Sequence, residues 1–99
     1  MMRNNPFTLE GKNILVTGGA GGIGSATALA CINLGARVIL TDIRKDALES
    51  VLALLPESLS GEANLCYAAD LINMDELAAL IEFCPRNYET YSYPIYYRR

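Results

Sequence analysis

Residues 13–24 read Asn13-Ile14-Leu15-Val16-Thr17-Gly18-Gly19-Ala20-Gly21-Gly22-Ile23-Gly24. The run from Asn13 to Thr17 is β-branched and apolar, the pattern of a strand buried on both faces of a parallel sheet. From Gly22 onward, Ile23, Ala26, Ala30, Cys31 and Leu34 recur at three- and four-residue spacing, which predicts a helix with Gly35 at its C′ position. A turn placed between a strand and a helix points free backbone N–H groups, and the positive end of the helix dipole, at whatever occupies it. Glycine suits such a turn because the backbone must bend sharply, admit phosphate oxygens without a Cβ, and pack helix against strand. Gly19 to Gly24 also match G-x-G-x-x-G. That match alone would fit any flexible turn, but the strand before it, the helix after it and an acidic residue beyond make it a pyrophosphate site.

Working outward, Arg37 to Asp42 repeats the buried-strand pattern, and Lys45 to Leu55 sets Leu48, Val51, Leu52 and Leu55 on one helical stripe that Pro56 ends. After a polar turn around Ser58-Leu59-Ser60-Gly61, residues Asn64 to Ala69 form a third expected strand. Asn73 with Glu76 is a helix-start signal, and the stripe that follows is Leu77, Leu80 and Ile81. The β-α-β-α-β-α order with short connections implies an α/β fold: an incomplete Rossmann-type parallel sheet of about three strands with right-handed crossovers. The regular pattern stops after Phe83. Residues 1–83 are therefore read as the nucleotide-binding half of such a domain, and residues 84–99 as a divergent, irregular, Tyr-rich tail.

The 99 residues suffice for one small domain, and 52% hydrophobic against 19% charged residues supplies a core. A net charge of -3 with no histidine gives no basic field for nucleic acid or an anionic membrane. Residues 1–83 hold five basic and ten acidic groups, and residues 84–99 three basic and one acidic. The start of the chain has no apolar leader, and the most apolar stretch, Ala26 to Leu34, is too short to span a bilayer, so a cytoplasmic protein is expected. Cys31, Cys66 and Cys84 lack Cys-x-x-Cys spacing, so neither a disulfide framework nor a metal site is expected.

Asp42 stands 18 residues beyond Gly24 at the carboxyl end of the second strand, where its carboxylate can accept hydrogen bonds from both adenosine ribose hydroxyls. A 2′-phosphate there would set like charges about 4 Å apart, a repulsion of several kcal/mol at intermediate dielectric, which favours NAD over NADP. Arg44 nearby weakens that preference. Asp70 ends the third strand as Asp42 ends the second, so its carboxylate could meet the adenine amino group and the Leu71 amide a ring nitrogen. An Asp that merely opens the next helix is the competing reading. Asp75 and Glu76 are read as first-turn acids that suit the helix dipole.

With Thr17 before the first glycine, the T-G-x-x-x-G-I-G form resembles the short-chain dehydrogenase/reductase family, and Leu9-x-Gly11-Lys12 ahead of the first strand is similar to the family as well. The resemblance covers roughly residues 9–83. It implies that Gly18, Gly22 and Gly24 face the cofactor, that Asp42 reads the ribose, and that Asp70-Leu71 borders adenine. NADP-preferring members often carry basic residues at the positions held here by Gly21 and Ile43. The expected cofactor contacts are thus Gly18, Gly21, Gly22, Ile23, Gly24, Asp42, Ile43, Asp70 and Leu71, and the implied activity is NAD-dependent hydride transfer between a nicotinamide and an alcohol or carbonyl.

The family's catalytic set comprises an Asn-Asn-Ala-Gly after a fourth strand, a serine, and a Tyr-x-x-x-Lys pair in which lysine lowers the tyrosine pKa. Only Lys12 and Lys45 occur here, with Thr8 and Thr41 four positions before them, and the one Asn-Asn, Asn4-Asn5, precedes Pro6. No catalytic residue is assigned, including among Tyr88, Tyr91, Tyr93, Tyr96 and Tyr97, and the chain is expected to be inactive alone. Its tail reads as a truncation, an alternative exon or a shifted frame. The alternatives are a non-catalytic dinucleotide-binding module and a protein-interaction segment in the tail. Without a fourth strand, the first strand would be an exposed edge open to self-association.

Overall fold

Three alternations of strand and helix run in the expected order: β1 (Asn13–Thr17), α1 (Gly22–Asn33), β2 (Arg37–Asp42), α2 (Lys45–Leu54), β3 (Leu65–Ala68) and α3 (Met74–Phe83). Two short strands follow, β4 (Glu89–Ser92) and β5 (Tyr96–Arg98). The computed structural model describes residues 8–58, 61–85, 89–92 and 96–98, so Asn4, Asn5, Leu59, Ser60, Tyr88 and Tyr93 lie outside the described residues. The sheet order is β3-β2-β1-β4-β5; β3, β2, β1 and β4 run parallel, and β5 pairs antiparallel with β4.

Side chains alternate across the sheet and divide the core in two. Ile14, Val16, Val38 and Leu40 pack with Ala28, Cys31 and Ile32 of α1 and Leu48 of α2. Leu15 and Ile39 point the other way, packing with Leu80 of α3 and with Cys84 just after it. Leu48 is fully buried, an apolar transfer worth about 1.5–3 kcal/mol for a leucine. On the α3 side, the Tyr67 and Phe83 rings meet with centroids 4.7 Å apart.

Helix ends are set locally. α1 closes in a Schellman motif: the Gly35 amide donates to the Ile32 carbonyl at 2.9 Å and the Ala36 amide to Cys31 at 3.0 Å, with Gly35 at φ 107° as expected of a C′ glycine. α3 opens with the Asn73 side chain accepting from the Asp75 and Glu76 amides at 3.0 and 3.1 Å. The Glu76 carboxylate reaches back past Asn73 and accepts from the Asp70 amide at 2.9 Å.

Several sequence expectations are corrected. The buried face of α1 carries Gly24, Ala28, Cys31 and Ile32, whereas Ile23, Ala26 and Ala30 are exposed. The helix is apolar nearly all round, so spacing alone cannot fix its phase; the close approach of Gly24 to the Gly18 backbone sets which face turns inward. On α3, Leu80 is buried but Ile81 is half exposed. β3 is only half-buried because it is an edge strand with a neighbour on one side. The tail is not wholly irregular. Glu89, Thr90 and Tyr91 register with Ile14, Leu15 and Val16, so β1 is an interior strand and the exposed first-strand edge expected to mediate self-association is covered. Thr and Tyr favour strands, and Pro85 precedes β4.

Two outcomes follow from this packing. Deleting residues 86–99 should reopen the β1 edge, lowering the melting temperature and giving oligomers by light scattering; a monomer of unchanged melting temperature would mean that the β1–β4 pairing stabilises nothing. Burial pushes the Cys31, Cys66 and Cys84 thiols up, with the Glu49 charge adding to the effect at Cys66 and Lys45 opposing it. The unfolded chain therefore ionises its thiols first, and stability should fall as pH rises through the ordinary thiol value of 9.0. Melting curves taken from neutral into alkaline pH check this, as does slow thiol alkylation that accelerates on adding urea.

Candidate dinucleotide site

The strand order reverses at β1: β2 and β3 lie to one side and β4 to the other. Ligands of open α/β sheets bind at the carboxyl ends of the strands at such a switch point. The glycine turn leaves β1 at that place. Gly18 sits at φ 69°, a left-handed conformation that L side chains rarely adopt, and its carbonyl accepts from the Gly21 amide at 3.1 Å to close the turn.

The glycines of the turn do different things. A Cβ on Gly24 would run into the Gly18 carbonyl oxygen and come within 2.7 Å of its carbon, so this position lets α1 start against the turn. A Cβ on Gly19 would stand 2.9 Å from the Leu40 Cβ. A Cβ on Gly22 would meet nothing within 4 Å, and one on Gly21 only the Gly18 oxygen at 3.5 Å. Gly21 and Gly22 nevertheless line, with Gly18, Ile23, Gly24 and Asp42, an open cleft of about 380 Å³. The protein's own packing does not require glycine at 22; the space in front of it is open.

α1 also begins without a side-chain cap and without an acidic residue in its first turn, unlike α3. Its first amides, at Gly22, Ile23 and Gly24, face the region where a helix supplies N–H donors and partial positive charge. Cleft, glycines and helix start together fit a pyrophosphate.

Asp42 joins this group from β2. Its Oδ2 accepts from the Ala20 amide at 3.1 Å and its Oδ1 from the Ile43 amide at 2.7 Å, which fixes the carboxylate and leaves lone pairs on both oxygens. The Ala20 bond escapes sequence reading, since it joins residues 22 positions apart through a non-glycine of the turn. The Arg44 guanidinium lies 3.3 Å from Asp46 and, with the Ala47 amide, holds the Asp46 carboxyl below its usual range. Ile43 is 64% exposed and Leu71 38% exposed, and neither they nor Asp70 line the cleft. Asp70 accepts through Oδ1 from the Ile72 amide at 3.1 Å, the turn-forming role that competes with an adenine contact. Among the described residues no group of three potential metal ligands is found, and no helix is long and apolar enough to cross a membrane.

Comparison with known proteins bears on the same region. The short chain dehydrogenase family model matches residues 12–91, eight residues beyond the limit read from the sequence. A short chain dehydrogenase/reductase of Colletotrichum higginsianum is 39% identical over 79 residues, covering 79% of this chain and 28% of that protein. The 7alpha-hydroxysteroid dehydrogenase of Escherichia coli is 34% identical over 83 residues, covering 84% of this chain and 32% of its own length. Among solved structures, the 3-ketoacyl-(acyl-carrier-protein) reductase of Brucella melitensis complexed with NADH superposes with a TM-score of 0.66 at 33% identity, over 77% of this chain and 29% of that one. The chain thus spans about a third or less of these relatives. By its glycine turn, its strand order and these matches, the chain belongs to the short-chain dehydrogenase/reductase family and carries that family's Rossmann-type nucleotide-binding region.

Proposed function

We propose that this chain is the adenosine- and pyrophosphate-binding portion of an NAD-dependent oxidoreductase that moves hydride between a nicotinamide and an alcohol or carbonyl, and that it is inactive alone. The observation that carries the binding half is the open space in front of Gly22, in a cleft that Gly18, Gly21, Ile23, Gly24 and Asp42 share. In this reading the amides of Gly22, Ile23 and Gly24 hold the pyrophosphate, Asp42 accepts from the ribose hydroxyls, Asp70 and Leu71 border the adenine, and Ile43 is a further cofactor contact. When bound, the nicotinamide supplies the hydride chemistry. The chain's own residues bind and orient the other end of the cofactor. Inactivity rests on the lysines, since neither Lys12 nor Lys45 has a tyrosine four positions before it.

NAD is preferred over NADP in this proposal because the fixed Asp42 carboxylate would face a 2′-phosphate. The NADH named for the Brucella reductase accords with that preference. Three unpaired thiols suit a reducing, cytoplasmic compartment. A second reading, a non-catalytic dinucleotide-binding module, draws on the β1–β4 pairing, which removes the open edge that would otherwise count against a free-standing fragment.

Calorimetric titration should give saturable heat with NAD and at least about tenfold weaker binding with NADP, and incubation with NAD and secondary alcohols should give no turnover. Absence of NAD binding would refute the binding proposal, and turnover would refute inactivity. Gly22→Ala is the sharper probe. It should leave the ligand-free melting temperature unchanged or raised, since an added Cβ meets nothing within 4 Å and alanine restricts the unfolded chain by about 0.4–1 kcal/mol, yet lose about tenfold or more in NAD affinity. Gly24→Ala should lose both, at a stability cost of about 1–3 kcal/mol or more. Equal NAD affinity for Gly22→Ala and the unsubstituted chain would remove the pyrophosphate from this turn.

A further inference from the structure

The Asp42 carboxylate does something that ribose recognition does not require. β1 and β2 run parallel in register up to Thr17 and Thr41, and the Gly19 amide then donates to the Thr41 carbonyl at 2.9 Å. Beyond that point the glycine turn bends away from the strand direction. The next turn amide, on Ala20, donates to the Asp42 side chain at 3.1 Å, so the carboxylate supplies an acceptor beyond the Gly19–Thr41 bond, where strand pairing has ended. The Ile43 amide, at 2.7 Å from the other oxygen, fixes the carboxylate from behind. Through Thr41 and Asp42, the end of β2 holds two consecutive amides of the turn.

We propose that Asp42 is a positioning residue for the pyrophosphate turn, so that its carboxylate supports phosphate binding through Ala20 as well as any contact it makes with ribose. The proposal rests on the dinucleotide reading given above. Its consequence has an unusual sign. Asp42 lines the cleft, and removing a negative charge close to a diphosphate should by itself strengthen diphosphate binding. A residue that only reads ribose hydroxyls should have no effect on a ligand lacking them. A tether, by contrast, makes its removal weaken even a diphosphate without ribose hydroxyls, because the turn amides are no longer held in place. Asparagine is no substitute: its amide has one acceptor oxygen and would turn an NH₂ toward either Ala20 or Ile43. Neutralising position 42 to admit a 2′-phosphate should therefore loosen the turn at the same time.

The test titrates the full chain and its Asp42→Ala variant with NAD and with 2′,3′-dideoxyadenosine 5′-diphosphate, and follows amide hydrogen exchange at Ala20. Asp42→Ala should weaken the dideoxy ligand by about threefold to tenfold, the size expected for a lost hydrogen bond, and should accelerate exchange at Ala20. Asp42→Leu, which keeps about the size of the side chain but offers no acceptor, should do the same and serves if Asp42→Ala does not fold. Unchanged or tighter binding of the dideoxy ligand by a folded variant would overturn the proposal, as would unchanged exchange at Ala20. Failure of the unsubstituted chain to bind NAD would instead overturn the dinucleotide reading on which the proposal rests, and is separately visible in the same titration.

Discussion

Helix α1 can begin where it does only because residue 24 has no side chain. A Cβ there would collide with the Gly18 carbonyl oxygen, and the same carbonyl closes the turn by accepting from Gly21. That one close approach brings the uncapped start of α1 to the carboxyl end of β1 and directs its first amides into the cleft. It also sets the helix against the sheet, where Ala28, Cys31 and Ile32 pack on Ile14, Val16 and Val38. Packing and the proposed recognition share a single backbone constraint in a turn where the fold itself demands only some of the glycines.

β2 is the strand on which the rest is hung. Its neighbours are held beyond the backbone ladder by side chains at both ends. Near its start, Asn64 accepts from the Val38 amide at 3.0 Å and donates to the Pro56 carbonyl at 2.8 Å. Near its end, the buried Thr41 hydroxyl donates to the Tyr67 carbonyl at 2.7 Å, and Asp42 holds Ala20. Burying the Thr41 hydroxyl is tolerable because it is hydrogen-bonded. β4 completes the arrangement on the other side of β1 and creates the switch point in front of which the glycine turn lies.

The bounds of β1 and β2 were legible to the residue, because uninterrupted β-branched and apolar runs between glycines and charges have few other solutions. So was the candidate site's framework, since glycine spacing and a strand-end aspartate are local signals. The phase of α1 was not legible: a helix with Ile23, Ala26, Leu29 and Ala30 exposed offers no polar face to orient it. β5, which pairs only with β4, was hidden because Tyr, Pro and Arg close together read as irregular chain, and β4 because its pairing with β1 is a long-range contact. The Ala20–Asp42 bond was hidden for the same reason, and the Asp70 turn was an open alternative that only geometry could weigh.

In the proposed complex the amides at the start of α1, together with Asp42, receive the pyrophosphate and ribose of NAD. An amide-resolved nuclear magnetic resonance titration of the chain with NAD tests it most directly. Saturable shifts are expected at Gly22, Ile23 and Gly24, accompanied by shifts at Ala20 and Ile43, the two amides tied to the Asp42 carboxylate. Saturable shifts confined to residues away from the turn, or none at any NAD concentration, would contradict it.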